Sequence, residues 1–137
     1  MNEATGGANC FACSPDNPIG LKIRFSMQDD VCVGLFTPSD YHVGFDDVVH
    51  GGLLFAALDD VMANWLHLQG EAGFTAKATV RYRQPARIGE TLRLEGRMLS
   101  RRRRHVTLSG VAMRKSDGVI VTETEATFMV NSAPDVK

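Results

Sequence analysis

His50-Gly51-Gly52, with Asp59-Asp60 a short distance beyond, is the stretch best equipped for chemistry. The glycine pair is followed by Leu, Ala and Met, good helix formers, which predicts a helix starting at Gly51 and ending near Gln69-Gly70. The first backbone N–H groups of a helix lack intrahelical acceptors and sit at the positive end of its macrodipole. Without Cβ atoms at Gly51 and Gly52, an outside oxygen can approach those groups closely, which makes an oxyanion site from backbone alone. Asp59 and Asp60 are two carboxylates inside an otherwise largely apolar helix, where a charge is costly unless it is paired or lines a cavity. Asp59 lies eight residues beyond Gly51, about 12 Å along a helix axis. No single acyl group spans that distance. If the two share a site, Asp59 must come from a second, antiparallel copy of the helix, so the spacing implies a two-fold dimer with mixed sites.

Several elements must position these groups. Leu54, Leu58, Val61 and Trp65 recur at helical spacing and predict the core-facing stripe. Upstream, residues 21–25 (Leu-Lys-Ile-Arg-Phe) alternate cleanly and predict a strand, with a turn at Asp29-Asp30 and a returning partner over 31–36. Thr37-Pro38-Ser39-Asp40 breaks the pattern, and a loop over 41–49 leads into the helix. Residues 79–82, 91–99, 105–113 and 119–130 are β-rich runs. Across the first of these, Ala76, Ala78, Val80 and Tyr82 are expected on one face, with Lys77, Thr79, Arg81 and Arg83 on the other. A hairpin, one helix and a meander of strands, with no strand–helix alternation, is an α+β pattern.

The motifs resemble those of the PaaI-type hot-dog-fold acyl-CoA thioesterases. His50-Gly51-Gly52 with an acid nine residues after the His is one part of the likeness. The approach His42-Val43-Gly44-Phe45-Asp46-Asp47-Val48-Val49 is the second, and Tyr82-Arg83-Gln84-Pro85-Ala86-Arg87-Ile88-Gly89-Glu90, similar to a recurring Tyr-x-x-Pro-x-x-x-Gly-Glu, is the third. The likeness runs over residues 17–130. It implies a curved antiparallel sheet wrapped around one long central helix. It further implies hydrolysis of a small or medium acyl-CoA, aryl or aliphatic, to free acid and coenzyme A by a homodimer or dimer of dimers. In that reading Gly51 N–H polarises the carbonyl, and Asp59 of the other subunit acts as base or nucleophile. Asp59 outranks Asp60 through its spacing from His50 and its helical neighbours Gly52, Phe55 and Met62, the expected substrate-facing residues. His50 either closes the helix start or lies beside the leaving sulfur, and Thr75 falls where family members carry a Ser or Thr that orients the water or the acid. Gly44 stands where part of the family has a side-chain amide, which leaves His42 as a substitute carbonyl contact. A hydratase or dehydratase on the same fold, and a non-catalytic acyl-CoA sensor, are the alternatives.

The remaining features bound the reading. The chain has 137 residues, 44% hydrophobic and 23% charged, with a formal net charge of −1, which suits one globular domain and gives no field for nucleic acid or an anionic membrane. Neither a membrane-length apolar run nor a signal-peptide pattern is visible, so a cytoplasmic protein is expected. Cys10-Phe11-Ala12-Cys13 has the spacing of half a zinc knuckle but no second pair follows, and a structural or incidental role without metal is expected. No cofactor is expected either. Arg101-Arg102-Arg103-Arg104 reads as a solvated hairpin tip, with coenzyme A phosphates as the alternative ligand. G-x-S-x-G, H-E-x-x-H and G-x-G-x-x-G are all missing. The expected organisation is an N-terminal extension over 1–19, the hot-dog domain over 20–131 and a tail over 132–137.

Overall fold

The computed structural model describes residues 10–131, so the expected tail and the first nine residues of the expected extension lie outside the described residues. Chain order begins with strands β1 (Ser26–Gln28) and β2 (Val31–Phe36), then a small hairpin of β3 (Val43–Phe45) and β4 (Val48–Val49). Helix α1 (Gly51–His67) follows, and then β5 (Gly73–Tyr82), β6 (Leu92–Arg102), β7 (His105–Arg114) and β8 (Ile120–Val130). Six strands form one antiparallel sheet in the order β1-β2-β6-β7-β8-β5, which leaves β5 as a long edge strand. Helix α1 touches β2, β5, β6, β7 and β8, so the sheet curls around it in the hot-dog arrangement. No helix among the described residues is long and apolar enough to cross a membrane.

The helix lies unusually close to the sheet at one place. Gly96 of β6 and Gly110 of β7 are cross-strand partners beneath it. A Cβ on Gly96 would stand 2.8 Å from the Val61 carbonyl oxygen, and one on Gly110 would stand 3.3 Å from that of Leu58. Around this seat Leu54, Leu58, Val61 and Met62 of the helix meet Leu94, Leu108, Ala112 and Phe128 of the sheet, all buried.

Three expectations are corrected. Residues 21–25 alternate in burial as a strand would, yet join no ladder. Leu21 and Ile23 instead donate their N–H groups to the Phe11 and Ala12 carbonyls at 2.8 Å each, and Lys22 has a positive φ of 57°. Residues from Cys10 onward are thereby packed onto the core, where Ala12 and Cys13 are buried. Trp65 is only half-buried, because its indole N–H finds its acceptor at the rim, the Asp30 carbonyl 2.8 Å away, and Leu66 takes the core position. Ala76 does not share a face with Ala78 and Val80. A β-bulge leaves it unpaired between Thr75, opposite Phe128, and Lys77, opposite Thr127. Phe128 is an inward residue, so the bulge turns Thr75 toward the helix.

The seat predicts that Gly96→Ala costs about 1–3 kcal/mol, because the added methyl meets helix backbone that cannot rotate away. Urea unfolding should show a lowered midpoint; an unchanged midpoint would mean the helix is not held there.

Candidate functional site

Two candidate half-sites lie at opposite ends of β5. At its start, the Thr75 hydroxyl donates to Asp59 Oδ1. Burial pushes the Asp59 carboxyl above its ordinary 3.8, and the Thr75 hydrogen bond, which favours the ionised form, offsets part of that. Asp59 remains half-buried, so its other oxygen is not sealed in the core. Phe55, one turn earlier on the same face, is also half-buried beside it.

At the end of β5, Tyr82 lies against the start of the helix. Its hydroxyl donates to the Gly51 carbonyl at 2.8 Å, and a Cβ on Gly51 would stand 3.3 Å from its ring. Gly51 N–H finds no acceptor among the described residues, whereas Gly52 N–H donates to His50 Nδ1 at 2.9 Å. His50 therefore caps the helix with its own ring, which places the proton of the neutral imidazole on Nε2 and leaves that N–H as an exposed donor. Gly52 makes the cap possible, since a Cβ there would come within 2.9 Å of the His50 ring.

The other expected residues are distributed as follows. His42 caps a short 3₁₀ turn: its Nδ1 accepts from Ser39 N–H at 2.9 Å, and its carbonyl accepts His50 N–H at 2.9 Å. Burial lowers its pKa below the ordinary 6.5. Its ring lines an open cleft of about 460 Å³ beside the helix start, with Phe11, Ile19, Tyr41 and Leu53 as its apolar walls. Met62, expected to face substrate, is a correction: it is fully buried against the sheet near Gly110, because its turn of the helix lies on the seat. At the arginine cluster, Arg101 pairs with Glu71 at 2.7 Å, and Arg104 donates to the Val130 and Asn131 carbonyls at the hairpin tip.

Two groups have partners that no local pattern indicates. Tyr82 shares the expected Ala78 and Val80 face and belongs to a motif, but nothing nearby in the sequence indicates that its hydroxyl meets Gly51. Asp60 turns from Asp59 toward the N-terminal loop, where it accepts from the Asn64 amide at 2.8 Å and lies 3.8 Å from Cys10 Sγ.

With this geometry in place, comparison with known proteins identifies the class. The sequence matches the thioesterase superfamily over residues 46–121, and the chain belongs to that superfamily. A solved thioesterase superfamily protein is 28% identical, with a TM-score of 0.80 over 86% of this chain and 61% of its own. This chain thus spans about three fifths of that relative. The PaaI protein of the E. coli phenylacetic acid degradation operon shares the fold at 20% identity and TM-score 0.74, covering 80% of this chain and 83% of its own. A hypothetical thioesterase of Streptococcus pneumoniae, solved with coenzyme A, shares it at 18% identity and TM-score 0.75, covering 80% and 86%. That protein was also solved with alanine in place of an Asp and, separately, of a Thr sixteen residues further on. No curated protein matches the chain.

The raised carboxyl at Asp59 has a consequence for stability. The folded protein holds that proton more tightly than the unfolded chain, so stability falls as pH rises from 3.8 through the folded value. Asp59→Asn, which still accepts from Thr75, is expected to raise Tm at pH 7 and to bring no gain below pH 3.8. Thermal melts at the two pH values check this; a lowered Tm at pH 7 would contradict it.

Proposed function

We propose that this protein is an acyl-CoA thioesterase, acting on small or medium acyl groups, aryl or aliphatic, in a site shared between two subunits. The observation that carries the reading is the placement of both half-sites on one free edge strand. Antiparallel pairing of β5 with its copy about an axis at Thr79, with Ala76 bulged out of the pairing, would set Thr75 opposite Tyr82 of the partner subunit. Asp59, held by Thr75, then approaches Gly51 of the partner subunit, and the 12 Å problem within one helix disappears. The sixteen-residue spacing of the substituted Asp and Thr in the S. pneumoniae protein equals that of Asp59 and Thr75, which supports these two as a working pair.

The thioester carbonyl oxygen accepts from Gly51 N–H, aided by the helix macrodipole, with His50 Nε2–H exposed beside it. Asp59 takes a proton from water as hydroxide adds to the acyl carbon, or adds to that carbon itself to give an anhydride that water then opens. In both routes the C–S bond breaks, and the coenzyme A thiolate leaves and takes up a proton. No cofactor enters. The cleft lined by Phe11, Ile19, Tyr41 and Leu53 gives the acyl group apolar surface next to the helix start. A hydratase is less well served, since Asp59 is partnered by a hydroxyl and His50 spends one ring nitrogen on the cap. Cys10, Cys13 and Cys32 form no disulfide, which favours a reducing, cytoplasmic setting.

Thiol release across a panel of acyl-CoAs tests the proposal. Asp59→Asn should lower kcat by about 10²–10⁴ while acyl-CoA affinity is kept. Absence of thiol release with every acyl-CoA, or full turnover in the variant, would overturn it.

A further inference from the structure

Away from the acyl site, the fold gathers two thiols and a carboxylate from places distant in the sequence. Sγ of Cys10, Sγ of Cys13 and a carboxylate oxygen of Asp60 all lie within 4.8 Å of one another. The Cys-x-x-Cys turn is closed by Ser14 N–H donating to the Cys10 carbonyl at 3.0 Å. It is fixed from outside by the bonds from Leu21 and Ile23 to Phe11 and Ala12. Asp60 is equally fixed, because Asn64 Nδ2 donates both to its Oδ2 at 2.8 Å and to its main-chain carbonyl at 2.9 Å. Its two oxygens stand 3.8 and 3.9 Å from Cys10 Sγ, so the carboxylate offers both to the space between the groups.

The electrostatics point the same way. Asp60 lies next to a second half-buried acid, Asp59, yet among the described residues no Lys, Arg or His pairs with it. A buried negative charge without a cation is costly, and its present partners are an amide and thiols.

We propose that Cys10, Cys13 and Asp60 bind one zinc-like divalent cation that fastens the N-terminal loop to the flank of α1 next to the one bearing Asp59. Two thiolates and a chelating carboxylate give four donor atoms, the number a structural zinc site takes. Sulfur donors select zinc over magnesium or calcium. Asn64 is the outer partner that orients the carboxylate. Binding exchanges two thiol protons, released to solvent, for one dication, with no change of oxidation state. A second Cys-x-x-Cys is not needed for such a site, because the third ligand is an aspartate fifty residues away.

Titration of the reduced full-length protein with Co²⁺ under anaerobic conditions tests this. The expected result is a thiolate-to-cobalt charge-transfer band that saturates at one equivalent per chain and is abolished by one equivalent of Zn²⁺. Cys10→Ser, at a half-buried position the fold should tolerate, loses the band with an unchanged far-ultraviolet circular dichroism spectrum. Asp60→Asn weakens Co²⁺ binding by about tenfold or more, and Cys32→Ser leaves the band in place. No charge-transfer band, or one that survives Cys10→Ser, would overturn the proposal and leave the thiols as hydrogen-bond donors to Asp60.

Discussion

Helix α1 rests with its backbone against the sheet at Gly96 and Gly110, and the directions of every polar group on the helix follow from that contact. Seated so closely, the helix turns Leu58, Val61 and Met62 into the core and has no freedom to roll. Two consecutive carboxylates must then leave by different margins. Asp59 emerges toward β5, and Asp60 toward the N-terminal loop.

Their partners separate their roles. Asp60 is surrounded by an amide and two thiols, which occupy its oxygens and tie distant segments together. Among the described residues Asp59 has a single hydroxyl partner, and it remains half-exposed, which leaves it lone pairs for the water or acyl carbon of the proposed reaction. The same burial that lifts its pKa makes it a stronger base than a surface carboxylate. In the proposed mechanism the other half of the chemistry is main chain. His50 and Gly52 fix the helix start by a ring-to-amide bond, and the preceding N–H of Gly51 is left to face outward.

Much of this was legible in the residues. Two glycines before a helix-forming run marked the start of α1, and alternation marked β2, β6, β7 and β8 to within a few residues. What could not be read depended on contacts between distant segments or on one extra residue. Residues 21–25 carry a strand's alternation, but their hydrogen bonds go to the Cys-x-x-Cys loop, a choice periodicity does not encode. A strict two-residue alternation from Val80 sends Thr75 outward with Lys77, and only the bulge at Ala76 brings it to Asp59. Trp65 has core spacing, yet its indole N–H draws it to the rim. Asp60 meets Cys10 across fifty positions, which no local pattern records.

The central claim is that one subunit's Asp59 serves the Gly51 amide of the other, and co-expression of two disabled chains tests it most directly. Gly51→Pro removes the amide hydrogen and adds a ring whose Cβ stands 3.3 Å from Tyr82; proline is tolerated at the first helical position, and His50, with φ −60° and ψ 127°, already has the extended backbone that precedes proline. Each of Asp59→Asn and Gly51→Pro should be inactive alone. Mixed dimers carry one intact site, so random association of equal amounts should restore about a quarter of wild-type thioester hydrolysis. If mixing restores nothing although mixed dimers form, the two groups do not meet across subunits and the account fails.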